Sequence, residues 1–354
     1  MILGQRYDYD GVPIMNLNAL QSEMKLQVEK KVSEGHYAFE VIPCAVCGGG
    51  SLELLSKKDR YGLYMPVVIC KDCGLIQTNP RMTQKAYNEF YNVEYRKLYV
   101  GQETPTEDFF RAQYCAGSRI YKFLADSGVL AGRANLSVFE VGCGAGGILQ
   151  YFRDRGCRVK GIDLGEAYVE YGRNKHGLDI SAGTLETVAL SDAPDLVIYS
   201  HVFEHILSPN AELQKIKNML TDRGLLYIEI PSVKNLMRDY EVDFLRLLQN
   251  AHVYHFTLKS LTNLLSRNGF EILTGNERVC SVFRKIQGGA SKDIESDYAA
   301  VLNYLSKVEM RRKVFPITFY KIVRWPRVLA LNLLEAIGAF NSVRNIYRKI
   351  KNVK

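Results

Sequence analysis

An α/β fold built on a parallel sheet, with a small cysteine-held module before it and a basic helical tail after it, is predicted by three observations. From about residue 134 to 285, apolar runs alternate with helical patterns: Leu136–Val141, Val159–Ile162, Leu196–Tyr199 and Leu225–Ile230. The first run ends near an acid, Glu140, and drops into Gly142-Cys-Gly-Ala-Gly-Gly, while the second ends on Asp163. Two Cys-x-x-Cys-Gly knuckles, Cys44/Cys47 and Cys70/Cys73, lie upstream, twenty-two residues apart.

Length and composition bound the rest. A chain of 354 residues can bury more than one core. Its 47% hydrophobic and 24% charged residues are ordinary for a water-soluble protein. No uninterrupted apolar run approaches the roughly 20 residues that span a bilayer, and the N-terminus turns polar too early for a secretory signal. The expected location is therefore cytoplasmic. Paired cysteines in such a setting point to metal rather than disulfides. The charge is uneven: Arg311–Lys354 holds eleven Lys/Arg against Glu335 alone, which leaves residues 1–310 at about −2 of the chain's +8. A broad nucleic-acid surface is not expected of that portion.

Taken in order, residues 1–40 read as a polar helical segment with Leu17, Leu20, Met24 and Val28 at helical spacing. Residues 41–80 hold the clustered cysteines among strand-like runs, and 81–133 form a tyrosine-rich helical connector or lid, interrupted by a polar loop at Gly101. Residues 134–285 make the main α/β domain, closed by a helix at Leu258–Arg267 and strands at Glu271–Thr274 and Arg278–Phe283. Residues 286–354 form the basic helical tail.

The glycine loop formally matches a dinucleotide-binding pattern. Glu140, two residues before the first glycine, is poorly placed beside a pyrophosphate and suits a ligand with a positive end, such as an ammonium or sulfonium. The downstream run Asp195-Leu-Val-Ile-Tyr-Ser-His-Val-Phe-Glu-His-Ile, with Gly224-Leu-Leu-Tyr-Ile-Glu-Ile-Pro after it, completes an ordered series. That series resembles the class I S-adenosylmethionine (SAM)-dependent methyltransferases, which implies their Rossmann-like seven-stranded sheet. Position by position, the resemblance implies that Glu140, Gly142 and Gly144 line the methionine end of SAM and that Asp163 meets the ribose, with Cys143 and Leu164 also among the cofactor-binding residues. Thr184 and Leu185 would border the adenine, and Ser200 and His201 would lie beneath the cofactor. Cys143 is also expected to pack as a small residue in the loop, and Asp163 has helix capping as an alternative role.

Four thiolates in two knuckles suit a tetrahedral zinc ion, with Cys44, Cys47, Cys70 and Cys73 as ligands and no position left for chemistry. This structural zinc would hold a segment too small for its own core. Cys73-Gly-Leu-Ile-Gln-Thr-Asn-Pro-Arg, followed by Tyr91 and Tyr95, is similar to bacterial methyltransferases with an N-terminal zinc-binding domain. Many of these act on nucleotide-linked sugars, or in surface-polysaccharide and natural-product pathways. Some are sugar C-methyltransferases with a large further domain. About 70 residues follow the core here, so O-methylation is expected at least as much as C-methylation.

Methyl transfer needs an aligned acceptor and removal of a proton, for which histidine is the natural base. His252 occupies the position where the sugar C-methyltransferases carry a general-base histidine, although their preceding glutamate is Ala251 here. His255 and His205 are further candidates, each with a structural role as the alternative. His201, Glu204 and His205 form a sequence cluster that could bind a divalent ion. Tyr91 and Tyr95 are candidate acceptor contacts, with plain helix packing as the alternative. The tail interleaves Phe315, Phe319, Trp325 and Leu329 with Lys/Arg. Such a face suits peripheral contact with an anionic membrane or packing on the core or a partner.

The leading expectation is a SAM-dependent methyltransferase acting on a small sugar-like acceptor or glycan precursor. One alternative is an RNA methyltransferase with a zinc module, disfavoured by the charge and by the lack of an Asn-Pro-Pro-Tyr-type motif. The other is a catalytically silent SAM-fold scaffold, disfavoured by the intact Glu140, glycine loop and Asp163.

Overall fold

The computed structural model describes residues 3–101, 104–188, 190, 192–286 and 293–314. In chain order the strands are β1 (Phe39–Glu40), β2 (Leu52–Lys58), β3 (Tyr64–Cys70), β4 (Ile76–Thr78), β5 (Arg81–Met82), β6 (Ser137–Val141), β7 (Arg158–Asp163), β8 (Ile180–Ala182), β9 (Leu196–Ser200), β10 (Leu225–Glu229), β11 (Tyr254–His255), β12 (Phe270–Gly275) and β13 (Cys280–Lys285). Seven of them form one sheet in the order β12-β13-β10-β9-β6-β7-β8. Pairing is parallel from β10 through β8, and only β13 runs antiparallel to its neighbours β10 and β12. The seven-stranded Rossmann-like sheet expected from the sequence is present. The edge strand β8 was not anticipated, because three residues are too short for a periodic signal.

The central strands are apolar throughout, as a sheet covered on both faces requires: Leu196–Tyr199 and Leu225–Ile228 are all buried. The order reverses beside β6, whose neighbours are β9 and β7. A crevice therefore opens at the C-terminal ends of these strands, where Glu140, Asp163 and Ser200 lie.

The cysteine module builds a second sheet, β11-β4-β3-β2. Its outer strand comes from residues 254–255, with Tyr254 opposite Gln77 and His255 opposite Ile76. The module is thus wider than residues 41–80. The free edge of β4 needs a backbone partner, and the segment after β10 supplies it.

The N-terminal helix, Ala19–Ser33, begins with a capping box between Asn18 and Gln21 and buries Met24 and Val28. Lys31 pairs with the fully buried Glu94 at 2.6 Å and with Glu89 at 2.7 Å. These bonds fasten that helix to the connector, which runs through a helix at Gln84–Phe90, a π-helical turn at Tyr91–Tyr95 and a helix at Arg96–Val100. The described part of the tail is a helix, Tyr298–Val314, that buries Val301, Leu305 and Val308 in a cluster with Tyr7 and Phe244. Its apolar face is covered by the fold. The tail from Phe315 onward, including Trp325, lies outside the described residues.

Candidate active site

Three backbone features shape the glycine loop. Gly142, Gly144 and Gly146 have φ of 72°, 55° and 80°, a region L side chains rarely enter. A Cβ at Gly142 would stand 2.2 Å from Val202 Cγ2, so the loop presses against the segment after β9. The N–H groups of Gly142 and Cys143 both donate to the Ile162 carbonyl, at 2.7 and 2.9 Å, which ties the loop to β7. The resulting turn opens onto a cavity of about 670 Å³.

Of the expected cofactor residues, Glu140, Gly142, Gly144, Asp163, Leu164, Thr184, Leu185, Ser200 and His201 all line this cavity. Cys143 does not. It is fully buried beneath the loop, packed against Gly161, and a Cβ there would lie 3.0 Å from its Sγ. Its place in the site is as filler, and only its carbonyl, which accepts from Gln113 Nε2 at 3.0 Å, faces the connector.

Glu140 is 1% exposed and its Oε2 has no hydrogen-bond partner. Burial, assisted by the nearby Asp163, raises its pKa well above the usual carboxylate range. A buried acceptor left unpaired is costly, and a cationic group in the cavity would satisfy it. Asp163 Oδ2 accepts from Gly144 N at 2.8 Å and Oδ1 from Gly165 N at 2.7 Å, so it braces both the loop and the start of the helix Glu166–His176. Arg96 of the connector approaches Oδ1 at 3.1 Å and stacks over Tyr168 at 4.2 Å. Arg96 thus already occupies the oxygen that the resemblance assigns to a ribose hydroxyl. Asp163→Asn removes the charge that all three donors face, and SAM affinity is expected to fall at least ~10-fold. Isothermal titration showing an unchanged Kd would remove Asp163 from cofactor binding.

The other half of the cavity is walled by residues remote in sequence. Tyr91, Tyr95 and Tyr99 stack along one side, with ring centroids 4.3 Å apart for the first pair and 5.7 Å for the second. Arg60, Tyr240 and Gln249 close the far end, and Glu204, His205 and His252 form the floor. His205 Nδ1 lies 2.9 Å from the Ala251 carbonyl. A carbonyl only accepts, so Nδ1 carries the proton and Nε2 keeps its lone pair. Burial holds His205 down to about 3 and His252 well below its ordinary value, leaving both rings uncharged. Glu204 is 2% exposed, and burial pushes its carboxyl up to about 8. Burial also raises the Tyr95 hydroxyl well above its usual value. Tyr95 can therefore donate to or stack on an acceptor, but it is no base.

His255 is 2% exposed and does not line the cavity; its backbone belongs to β11, and burial lowers it to about 3. It is a structural residue of the module's edge. Arg60, Tyr99, Tyr240 and Gln249 carried no sequence signal, being isolated residues in four separate segments.

The segment Leu248–Phe256, which carries His252, is gripped by the cysteine module. Arg60 N donates to Leu248 O at 3.0 Å, Asn250 N to Asp59 Oδ2 at 2.9 Å and Thr78 N to Val253 O at 2.8 Å. Thr78 Oγ1 donates to the His252 carbonyl at 3.0 Å, and Arg60 also bonds the Gln249 side chain. Behind this contact, Cys44 Sγ lies 3.4 Å from Cys73 Sγ and Cys47 Sγ 3.5 Å from Cys70 Sγ, with all four sulfurs within 4.8 Å of one another. A tetrahedral ion with sulfur bonds of ~2.3 Å needs edges of about 3.8 Å, so the four sulfurs fit one.

Residues 110–274 match a family described as a methyltransferase domain. The C-methyltransferase NovU of Streptomyces niveus is 26% identical over 141 residues, 38% of this chain and 33% of that protein. An uncharacterized methyltransferase of Staphylococcus carnosus is 27% identical over 131 residues, 36% of this chain and 62% of its own. A ubiquinone biosynthesis O-methyltransferase of Bartonella quintana is 25% identical over 157 residues, 39% and 62% of the two chains. The chain spans between a third and about three fifths of the length of these relatives.

Proposed function

We propose that this chain, whose residues 110–274 match a methyltransferase domain, is a SAM-dependent enzyme that transfers a methyl group from SAM to a small, sugar-like acceptor or glycan precursor. The observation that carries this reading is the single cavity that joins the Glu140–glycine–Asp163 cradle to a floor of uncharged histidines. SAM supplies an activated methyl on a sulfonium. Glu140 would face its positive methionine end, and Asp163 its ribose.

The protein's own part is alignment and proton handling. The acceptor would lie between the tyrosine wall and the floor, its reactive oxygen or carbon in line with the methyl–sulfur bond. His252, neutral and backed by Glu204, is the proposed base, and His205 orders the floor through its bond to Ala251. The chain is similar to both a C- and an O-methyltransferase, and a base serves either acceptor. The polar far end, with Arg60 and Gln249, favours a hydroxyl-rich ligand over a greasy one. We assign zinc to the four cysteines, as a clamp on the acceptor side rather than a catalyst.

The deciding experiment is transfer of labelled methyl from SAM to a panel of nucleotide sugars, lipid-linked glycans and RNA. Transfer to the sugar-bearing members is expected. Transfer to RNA alone would overturn the acceptor class, and absence of SAM binding to folded protein would overturn the enzyme reading. Among the described residues no helix is long and apolar enough to cross a membrane. Contact of the basic tail with anionic lipid stays a proposal from the sequence.

A further inference from the structure

The floor of the acceptor cavity contains an unresolved electrostatic problem. Glu204 is 2% exposed, and neither of its carboxylate oxygens has a hydrogen-bond partner. Three ring nitrogens surround Oε1 instead: His252 Nε2 at 3.7 Å, His205 Nε2 at 3.8 Å and His201 Nδ1 at 4.0 Å. None is close enough to donate. His205 cannot donate from Nε2 at all while Nδ1 holds the Ala251 carbonyl. The ring nitrogens and the carboxyl oxygen thus converge on one point at the cavity wall without bonding one another, an arrangement that a shared electrophile would satisfy.

A divalent cation has the right size. At bonds of ~2.0–2.2 Å, nitrogen and oxygen ligands of a near-tetrahedral ion sit about 3.4 Å apart. The distances of 3.7 and 3.8 Å from Glu204 approach that edge, and the three ligand atoms all lie within 4.8 Å of one another. The bond from His205 Nδ1 to a backbone carbonyl is the outer support that metal-binding histidines use to fix their ring. Two histidines and a carboxylate leave one position of a tetrahedral ion open, and a second when the ion expands to five-coordinate; here the open side faces the cavity.

We infer that Glu204, His205 and His252 form a divalent-cation site whose open face binds the acceptor through two neighbouring oxygens, as in a vicinal diol. The inference rests on the methyltransferase reading and narrows its acceptor class to chelating hydroxyl compounds. With the ion in place, His252 serves as a ligand instead of a base. The coordinated hydroxyl then gives its proton to His201, whose half-exposed ring borders the cavity. The oxygen forms the bond to the methyl carbon as the carbon–sulfur bond breaks, releasing neutral S-adenosylhomocysteine. Gln249 competes for the same position, since its amide nitrogen lies against His252 Nε2 while Arg60 holds its oxygen. It must swing aside when the ion binds.

The test is titration of the zinc-loaded protein with Mn2+, which thiolates bind poorly, followed by the loss of the free-ion EPR signal. One Mn2+ per chain is expected, bound more than ~10-fold more weakly by Glu204→Gln and more tightly by Gln249→Ala. Equal binding by wild type and a folded Glu204→Gln protein would overturn the site. Should that variant not fold, nitrogen hyperfine coupling to Mn2+ in the wild type decides: its presence supports histidine ligation, and its absence overturns it. Methyl transfer that ignores Mn2+ yet is abolished by His252→Ala would overturn the cation and leave the base reading intact. Lack of SAM binding would instead sink the reading beneath both.

Discussion

Replacing His252 with alanine is expected to slow methyl transfer at least ~100-fold while leaving SAM affinity within a few-fold of wild type. The separation follows from where the residue sits. His252 lies in the proposed acceptor half of the cavity and touches Gln249 and Glu204, whereas the proposed cofactor cradle is built from the ends of β6, β7 and β9. An alanine leaves a small void in a buried floor and removes the imidazole proposed as the base. A merely structural histidine would show its loss in thermal stability and in SAM binding together. Single-turnover transfer with labelled SAM, read beside titration calorimetry, tells these apart. A rate within a few-fold of wild type would take His252 out of the chemistry.

The second large effect is expected from the cysteines. Structural zinc sites can contribute on the order of 10 kcal/mol to the folding of the segment they hold, so Cys70→Ser should cost the module most of its stability. Its consequence reaches beyond the module, because β11 is the outer strand of the module's sheet and Leu248–Phe256 hangs on Arg60, Asp59 and Thr78. The expected outcome is loss of methyl transfer and protease cleavage within residues 248–256, with SAM binding retained. Hydrogen exchange across that segment, compared between zinc-loaded and chelator-treated protein, measures it directly. Identical exchange and melting in both states would show that the four sulfurs need no ion. Mutual cores make some spread to the main sheet unavoidable, since Cys44, Cys70 and Cys73 share a hydrophobic cluster with Tyr199, Ile228 and Phe256.

How well the chain could be read depended on how local each signal was. The helix Leu258–Arg267 emerged with the bounds expected, because its capping box at Thr257 and its apolar spacing are contained within a dozen residues. The strand Ile180–Ala182 went unread, and its existence depends on pairing with β7. Cys143 shows a different limit. Its position in the loop was right, yet the direction of its side chain was set by contact with Gly161, which a motif does not encode. His252 and His255, only three residues apart, differ for the same reason: one ring faces the cavity, and the other is sealed in the module's edge strand.

By itself the sequence determined the donor side of this protein: an acid, a glycine turn and a second acid, each at the tip of a strand. It likewise determined the four-thiol cluster, because Cys-x-x-Cys-Gly knuckles form from neighbouring residues. Only the tertiary structure decided the acceptor side. Arg60, Tyr95, Glu204, Gln249 and His252 meet because β4 and β11 pair across nearly 180 residues of chain. No periodicity or spacing records that meeting, since it arises from a sheet edge seeking hydrogen bonds and from apolar surface closing over it.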